Sequence, residues 1–218
     1  MTKCLLKISN INMKIGNKKI LKNVNLNIFQ NQNIAISGAN GSGKTTLLYI
    51  ILKLLKPSSG SITWMNDLEV NTNQKIGVQF QTANFPIGFK VKDIVTFFRK
   101  IYCVNHNSDE LFFLFEIDKL WNSEIKYLSG GENKRLNIYL ALFHKPKIIF
   151  LDELSNELDL NKKALYIAFI KKYCQKNMIT IVLISHDLNE IKMLCHKFYA
   201  LEENTLILKK QIPRTIRN

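Results

Sequence analysis

The sequence predicts an α/β fold: a mostly parallel sheet with helices, entered through an antiparallel β region. Three observations predict it. Strand-like and helix-like segments alternate along most of the 218 residues. The N-terminal region differs, because Leu5-Leu6-Lys7-Ile8 and Val24-Asn25-Leu26-Asn27-Ile28 alternate apolar and polar positions, as half-exposed antiparallel strands do. Ile148-Ile149-Phe150-Leu151, in contrast, is apolar throughout, the pattern of a strand covered on both faces.

The elements follow in order. Gly16-Asn17 marks a turn between the two N-terminal strands. Asn33 to Ser37 reads as a buried strand, followed by a Gly-rich loop and a helix from Lys44 to Lys56, which Pro57-Ser58-Ser59-Gly60 ends. Ile62-Thr63-Trp64 and Ile76 to Phe80 are short strands. From Val91 to about Leu120 the pattern is helical and rich in aromatic residues. A helix begins near Gly130 and runs to His144, stopped by Pro146. After the strand at Ile148 come a helix from about Lys162 to Lys176 and a strand from Ile179 to Ile184. From Lys209 onward the chain is basic and is expected to be loosely ordered. The chain shows no internal repeat and no low-complexity tract.

Composition narrows the possibilities. The length fits one or two compact domains, and 46% apolar and 10% aromatic residues are those of a folded protein. The longest apolar run, Leu47 to Leu55, is interrupted by Lys53 and is too short to span a bilayer. Lys3 and Lys7 fall where a signal peptide needs continuous apolar residues, so neither export nor membrane insertion is expected. Cys4, Cys103, Cys174 and Cys195 form no C-x-x-C pair, which argues for free thiols in a reducing cytosol. A net charge of +14 would attract nucleic acid or an anionic membrane. Lys supplies most of it. Arg, which reads guanine edges, occurs only at Arg99, Arg135, Arg214 and Arg217, so solvated or membrane-facing charge is favoured over nucleic-acid binding.

Gly38-Ala39-Asn40-Gly41-Ser42-Gly43-Lys44-Thr45 fits G-x-x-x-x-G-K-[ST]. The glycines let the backbone curl until successive N–H groups point inward as an anion nest. The helix that follows adds its own free N–H groups and the positive end of its dipole. Lys44 can neutralise β- and γ-phosphates, the Thr45 hydroxyl can bind Mg²⁺, and Thr46 completes the loop's set of nucleotide-binding candidates. A chance Gly-rich turn would lack the strand before and the helix after, both of which the pattern supplies. Asp152 and Glu153 stand at the C-terminal end of the apolar strand, where open α/β sheets bind ligands. Asp152 suits a hydrated Mg²⁺ shared with Thr45, and Glu153 suits a base for the attacking water. Taken alone, an acidic strand end is weak evidence, since many strands end in an acidic turn.

Leu128-Ser129-Gly130-Gly131-Glu132 opens another helix, with Ser129 as its cap. The ordered set of phosphate loop, Leu-Ser-Gly-Gly-Glu, apolar strand with Asp-Glu, and Ser185-His186-Asp187 after a β-branched strand resembles the ABC ATPases from Leu5 to about Lys209. The resemblance implies a single ATPase domain over 1–218: a phosphate-loop NTPase core with an N-terminal antiparallel β subdomain, about 1–80 and 145–210, and a small helical subdomain, about 82–144. It implies ATP and Mg²⁺ as cofactors. Gln81 looks like the Gln that contacts Mg²⁺ and the water and senses a membrane partner. Ser129, Gly130 and Gly131 look like the signature that touches the γ-phosphate held by a second ATPase subunit. Asp159 looks like the aspartate that crosses the dimer interface, and His186 like the histidine on the γ-phosphate.

The family pattern is broken at three positions. Ile15 stands where an aromatic residue usually stacks on adenine, Leu154 where Pro usually follows the acidic pair, and Glu157 where Gly is usual. Phe85, Phe89, Phe97, Phe98, Tyr102, Phe112, Phe113 and Phe115 crowd the helical segment. They read either as that subdomain's core or as the lining of a groove for a short helix of the membrane partner. The stretch from Gly77 to Ile94 looks most like exporter-type subunits. The resemblance implies a motor working with a separate transmembrane permease subunit, lying in the cytoplasm on the inner face of the membrane and binding no specific nucleic acid. A ribosome- or DNA-acting ABC ATPase is the alternative, although those relatives usually carry two ATPase cores or a long coiled coil. A small-molecule kinase would leave the Leu-Ser-Gly-Gly-Glu segment and His186 without a job.

Overall fold

The computed structural model describes residues 3–65, 75–81, 85–86, 88–104, 110–154, 158 and 160–209. The chain divides into two compact units, Met1–Thr72 with Thr180–Asn218, and Asn73–Ile179.

In the first unit β1 (Cys4–Ile15) pairs antiparallel with β2 (Lys18–Phe29) on one side and β4 (Ser59–Trp64) on the other. The alternation buries Leu6, Ile8, Val24, Leu26 and Ile28. Asn10 and Asn23 break it with left-handed φ values of 52° and 47°, conformations that Asn tolerates better than other side-chain-bearing residues. The register shifts between Ile8 and Ile11. The carboxamides carry the displaced backbone donors: Asn10 N–H donates to Asn25 Oδ1 and Asn23 N–H to Asn12 Oδ1, both at 2.9 Å. These bulges therefore leave neither donor unsatisfied.

The same unit holds β3 (Ile34–Ser37), which runs parallel to both β7 (Thr180–Ile184) and β8 (Lys197–Glu202); β9 (Thr205–Lys209) closes the edge antiparallel to β8. Every residue of β3 and β7 is buried, as their apolar runs require. Buried Asn33 ties the start together. Its Nδ2 donates to Leu194 O and its Oδ1 accepts from Ile181 N–H, each at 2.9 Å. Among its described residues the unit also holds the helices α1 (Lys44–Ile51) and α7 (Leu188–Leu194).

Helix α1 ends before the expected Lys56. Lys53 turns left-handed at φ 60°. Its N–H bonds Ile50 O at 3.0 Å and the Leu54 N–H bonds Tyr49 O at 2.9 Å, a Schellman closure formed without glycine. Helix α7 and strands β8 and β9 come in addition to the elements that the sequence pattern predicts. A cue for α7 was present, since the Asp187 carboxylate accepts from the Asn189 and Glu190 N–H groups at 2.7 and 3.2 Å, the signature of a helix cap.

In the second unit β5 (Ile76–Gln79) runs parallel to β6 (Ile148–Asp152). Its described α-helices are α2 (Val91–Tyr102), α3 (Glu110–Leu114), α4 (Ile117–Leu120), α5 (Gly130–Leu142) and α6 (Leu160–Lys176). Gly77 lets β5 pack directly on α5, because a Cβ there would collide with the Ala141 carbonyl. The aromatic residues divide. Phe112 and Phe115 are core, whereas Phe89, Phe97 and Phe113 are exposed. Arg99 lies over the Phe112 and Trp121 rings at 5.5 and 5.9 Å and donates to the Tyr139 hydroxyl at 3.0 Å. Glu116 joins Lys119, Lys162 and Arg135 at 2.9, 3.0 and 3.4 Å. Hydrogen bonds from Lys119 and Lys162 hold its carboxyl at about 2. Among the described residues no helix is long and apolar enough to cross a membrane.

Candidate functional site

In the first unit the loop Gly38–Gly43 leaves β3 and enters α1 at Lys44. Gly43 is the helix cap, left-handed at φ 107°, and a Cβ there would press on Ile20 and Leu21 at 3.0–3.2 Å. No side chain caps α1, and its first turn holds no acidic residue, so the first-turn N–H groups are left for an anion. Asn40 and Gly41 form the exposed tip, and Thr45 and Thr46 are half-buried in the first turn. Lys44 Nζ curls over the loop, donating to Gly38 O at 2.7 Å and Ala39 O at 3.0 Å. Among the described residues the buried Ser42 Oγ has no hydrogen-bond partner.

His186 stands on the neighbouring strand end. Ile36 pairs with Ile184, and the Ser185 N–H donates to Ile36 O at 3.3 Å. The loop and His186 thus leave adjacent parallel strands at their C-terminal ends. His186 is exposed, while buried Ser185 anchors it. The Ser185 hydroxyl donates to Glu190 Oε2 at 2.7 Å and accepts from the Asp187 N–H at 2.9 Å.

The second unit repeats the arrangement. Gln79 pairs with Leu151, so Gln81 and the pair Asp152-Glu153 also leave adjacent parallel strands at their C-terminal ends. Gln81 is exposed; Asp152 and Glu153 are buried at 2% and 8% exposure. Glu153 takes φ 51°, left-handed for a residue with a side chain. Gln79 Nε2 donates to Asp152 O at 3.1 Å. Lys134, which the motifs did not single out, is buried on α5 and donates from Nζ to Asp152 O at 3.3 Å and Glu153 O at 2.6 Å. A lysine just past the first turn of a predicted helix looks like surface charge in sequence; its burial is what marks it.

Ser129 caps α5 in a reciprocal box. Its Oγ accepts from the Glu132 N–H at 3.3 Å, and its own N–H and hydroxyl donate to Glu132 Oε2 at 2.8 Å. Those bonds push the Glu132 carboxyl below the usual range. Gly130 is exposed and Gly131 half-buried beside it. Asp159 and Glu157 lie outside the described residues. Leu154 is fully buried.

The family described as ABC transporter matches residues 21–156, a span that takes in the phosphate loop, the Ser129 segment and the acidic strand end. The chain belongs to the ABC transporter family. A zinc import ATP-binding protein, ZnuC, of Pasteurella multocida is 31% identical over 98% of this chain and 78% of its own. The uncharacterised ABC transporter ATP-binding protein YdbJ of Bacillus subtilis is 29% identical over 94% of this chain and 69% of its own. The ATP-binding cassette MJ0796, solved as a dimer bound to ADP and Pi, superposes with a TM-score of 0.81 at 27% identity, covering 93% of this chain and 96% of that one. The chain is accordingly an ABC ATP-binding and ATP-hydrolysing subunit with the α/β cassette fold.

Within an ABC ATPase the residues named above fit a magnesium nucleotide. The Ser42 hydroxyl and the uncapped N-terminus of α1 suit phosphate oxygens. Thr45 in the first unit, and separately Gln81 and Asp152 in the second, carry hard oxygen donors, the ligand type that Mg²⁺ takes alongside waters and phosphates.

Proposed function

We propose that this ABC ATPase hydrolyses Mg²⁺-ATP between two ATPase subunits and thereby drives a separate membrane-spanning subunit from the cytoplasmic face. The observation that carries the reading is the phosphate loop. Gly43 turns the chain so that α1 starts uncapped, with Lys44 beside it. Gly38, Asn40, Gly41, Ser42, Gly43, Lys44, Thr45 and Thr46 cradle the phosphates. Thr45, Gln81 and Asp152 would hold Mg²⁺, and the ion would supply positive charge beside the γ-phosphate. Glu153 takes a proton from the attacking water, and His186 steadies the γ-phosphate. Ser129, Gly130 and Gly131 reach the ATP of the second subunit, with Asp159 at the seam and Gln81 relaying to the permease.

The dimeric MJ0796 structure supports the two-subunit arrangement. The same closure serves import and export, so direction is set by the membrane chain: the exporter-type likeness of Gly77–Ile94 and the zinc-import name of ZnuC both fit this motor. The net charge of +14 favours an anionic membrane surface over specific nucleic acid.

The test is Glu153→Gln, which keeps the side chain's length but cannot take a proton. Turnover falls by roughly 10²-fold, ATP still binds, and size-exclusion chromatography shows an ATP-dependent dimer. Turnover close to wild type would deny Glu153 its role.

A further inference from the structure

Two groups converge on the end of β6. From β5, Gln79 Nε2 donates to Asp152 O at 3.1 Å. From α5, Lys134 Nζ donates to the same oxygen at 3.3 Å and to Glu153 O at 2.6 Å. Lys134 is 4% exposed and Gln79 fully buried. An ammonium at that depth is costly unless its donors are well used, and two of the acceptors here are the carbonyls of Asp152 and Glu153.

The grip falls where the backbone needs it. Glu153 is held left-handed at φ 51°, a conformation that a residue with a Cβ adopts only when its surroundings hold it there. Its carbonyl lies beyond the last residue of β6, so the β ladder does not fix it. A short, charge-assisted bond to Lys134 does. The direction of the Glu153 side chain follows from that backbone conformation.

Lys134 also sits on the helix that Ser129 caps, five positions further along. One side chain therefore connects the helix that Ser129 caps to the strand whose end carries Glu153. We propose that Lys134 is a positioning residue for hydrolysis, which fixes the backbone of Asp152 and Glu153 and ties the Ser129 end of α5 to the catalytic end of β6. This rests on the reading of Glu153 as the base.

The experiment uses Lys134→Met, which keeps the length and loses the donor, and Lys134→Gln, which keeps a neutral donor. Melting curves confirm folding. Steady-state ATPase is measured for each, for Glu153→Gln, and for each Lys134 variant combined with Glu153→Gln. Lys134→Met lowers kcat about tenfold or more with KM within about twofold, because a small misplacement of a catalytic group has this effect. Lys134→Gln recovers part of the loss. In the Glu153→Gln background the Lys134 substitutions lower kcat no further, since they act through a group already disabled. Without nucleotide, amide exchange across Asp152–Leu154 is faster in Lys134→Met than in wild type.

Wild-type kcat in Lys134→Met, or losses that simply add to that of Glu153→Gln, overturns the proposal. Should Lys134→Met not fold, Lys134→Gln carries the same comparison. If Glu153→Gln itself turns over normally, the base assignment fails separately. The exchange measurement then judges Lys134 alone, and unchanged protection at Asp152–Leu154 overturns its role.

Discussion

His144 lies face to face on Tyr102, the ring centroids 3.9 Å apart and the planes 8° from parallel. The imidazole follows the C-terminus of α5, and its Nε2 meets Ile76 O at 3.3 Å, so this stacked pair joins α2, α5 and the start of β5. Burial pushes the imidazole down to about 4.

That depression gives a signed pH dependence. Above about pH 6.5 His144 is neutral in folded and unfolded chains alike, and the fold loses nothing. As pH falls from about 6.5 towards 4 the unfolded chain takes up a proton that the folded chain refuses, so stability drops by on the order of 2–3 kcal/mol. Glu116, held at about 2, acts in a lower window: its contribution is complete above about pH 4.5 and fades only as pH falls towards 2. His144→Phe keeps a ring on Tyr102 and removes the titration. Its melting temperature changes less than that of wild type between pH 7 and 4.5. Identical slopes for the two proteins would refute the burial argument.

Lys44→Ala removes the ammonium that neutralises the phosphates. ATP affinity, measured by equilibrium binding of a fluorescent analogue, falls by about 2 kcal/mol or more, the penalty for leaving a bound charge without its partner. Wild-type affinity in this variant would refute the assignment of the phosphate loop.

Ile15 ends β1 opposite Lys18, just before the left-handed Gly16, and is 57% exposed. An aliphatic side chain there offers adenine no π-face. Ile15→Tyr raises ATP affinity, and with it the preference for ATP over GTP, by up to about tenfold, within the 1–3 kcal/mol that base stacking contributes. If competition titrations leave both unchanged, the base is held elsewhere.

Much of this protein is legible in contiguous residues. The period-two alternation of Leu5–Ile8 and Val24–Ile28 becomes β1 and β2, and the apolar run Ile148–Leu151 becomes β6. Gly38–Thr45 sits at a strand–helix junction, and Ser129 is a cap. These features follow from local physics: a strand's period, a glycine's dihedral freedom, a hydroxyl's reach to the next turn.

Other features were settled by packing between distant segments. Lys134 reads as surface charge until the strand end 18 and 19 residues away comes to meet it. Phe112 is core and its neighbour Phe113 is exposed, because one side of α3 meets the rest of its unit and the other meets solvent; composition carries no such orientation. Helix α1 stops at Ile51 because Lys53 accepts a left-handed turn, a choice that the helix-compatible run Leu52–Lys56 does not announce. Contiguous residues specify β1, β2, β6, the start of α1 and the glycine-rich loop before it, because those preferences act over a few residues. Which side chain reaches which carbonyl was decided by tertiary structure, because a hydrogen bond between residues far apart in sequence depends on how the elements carrying them pack.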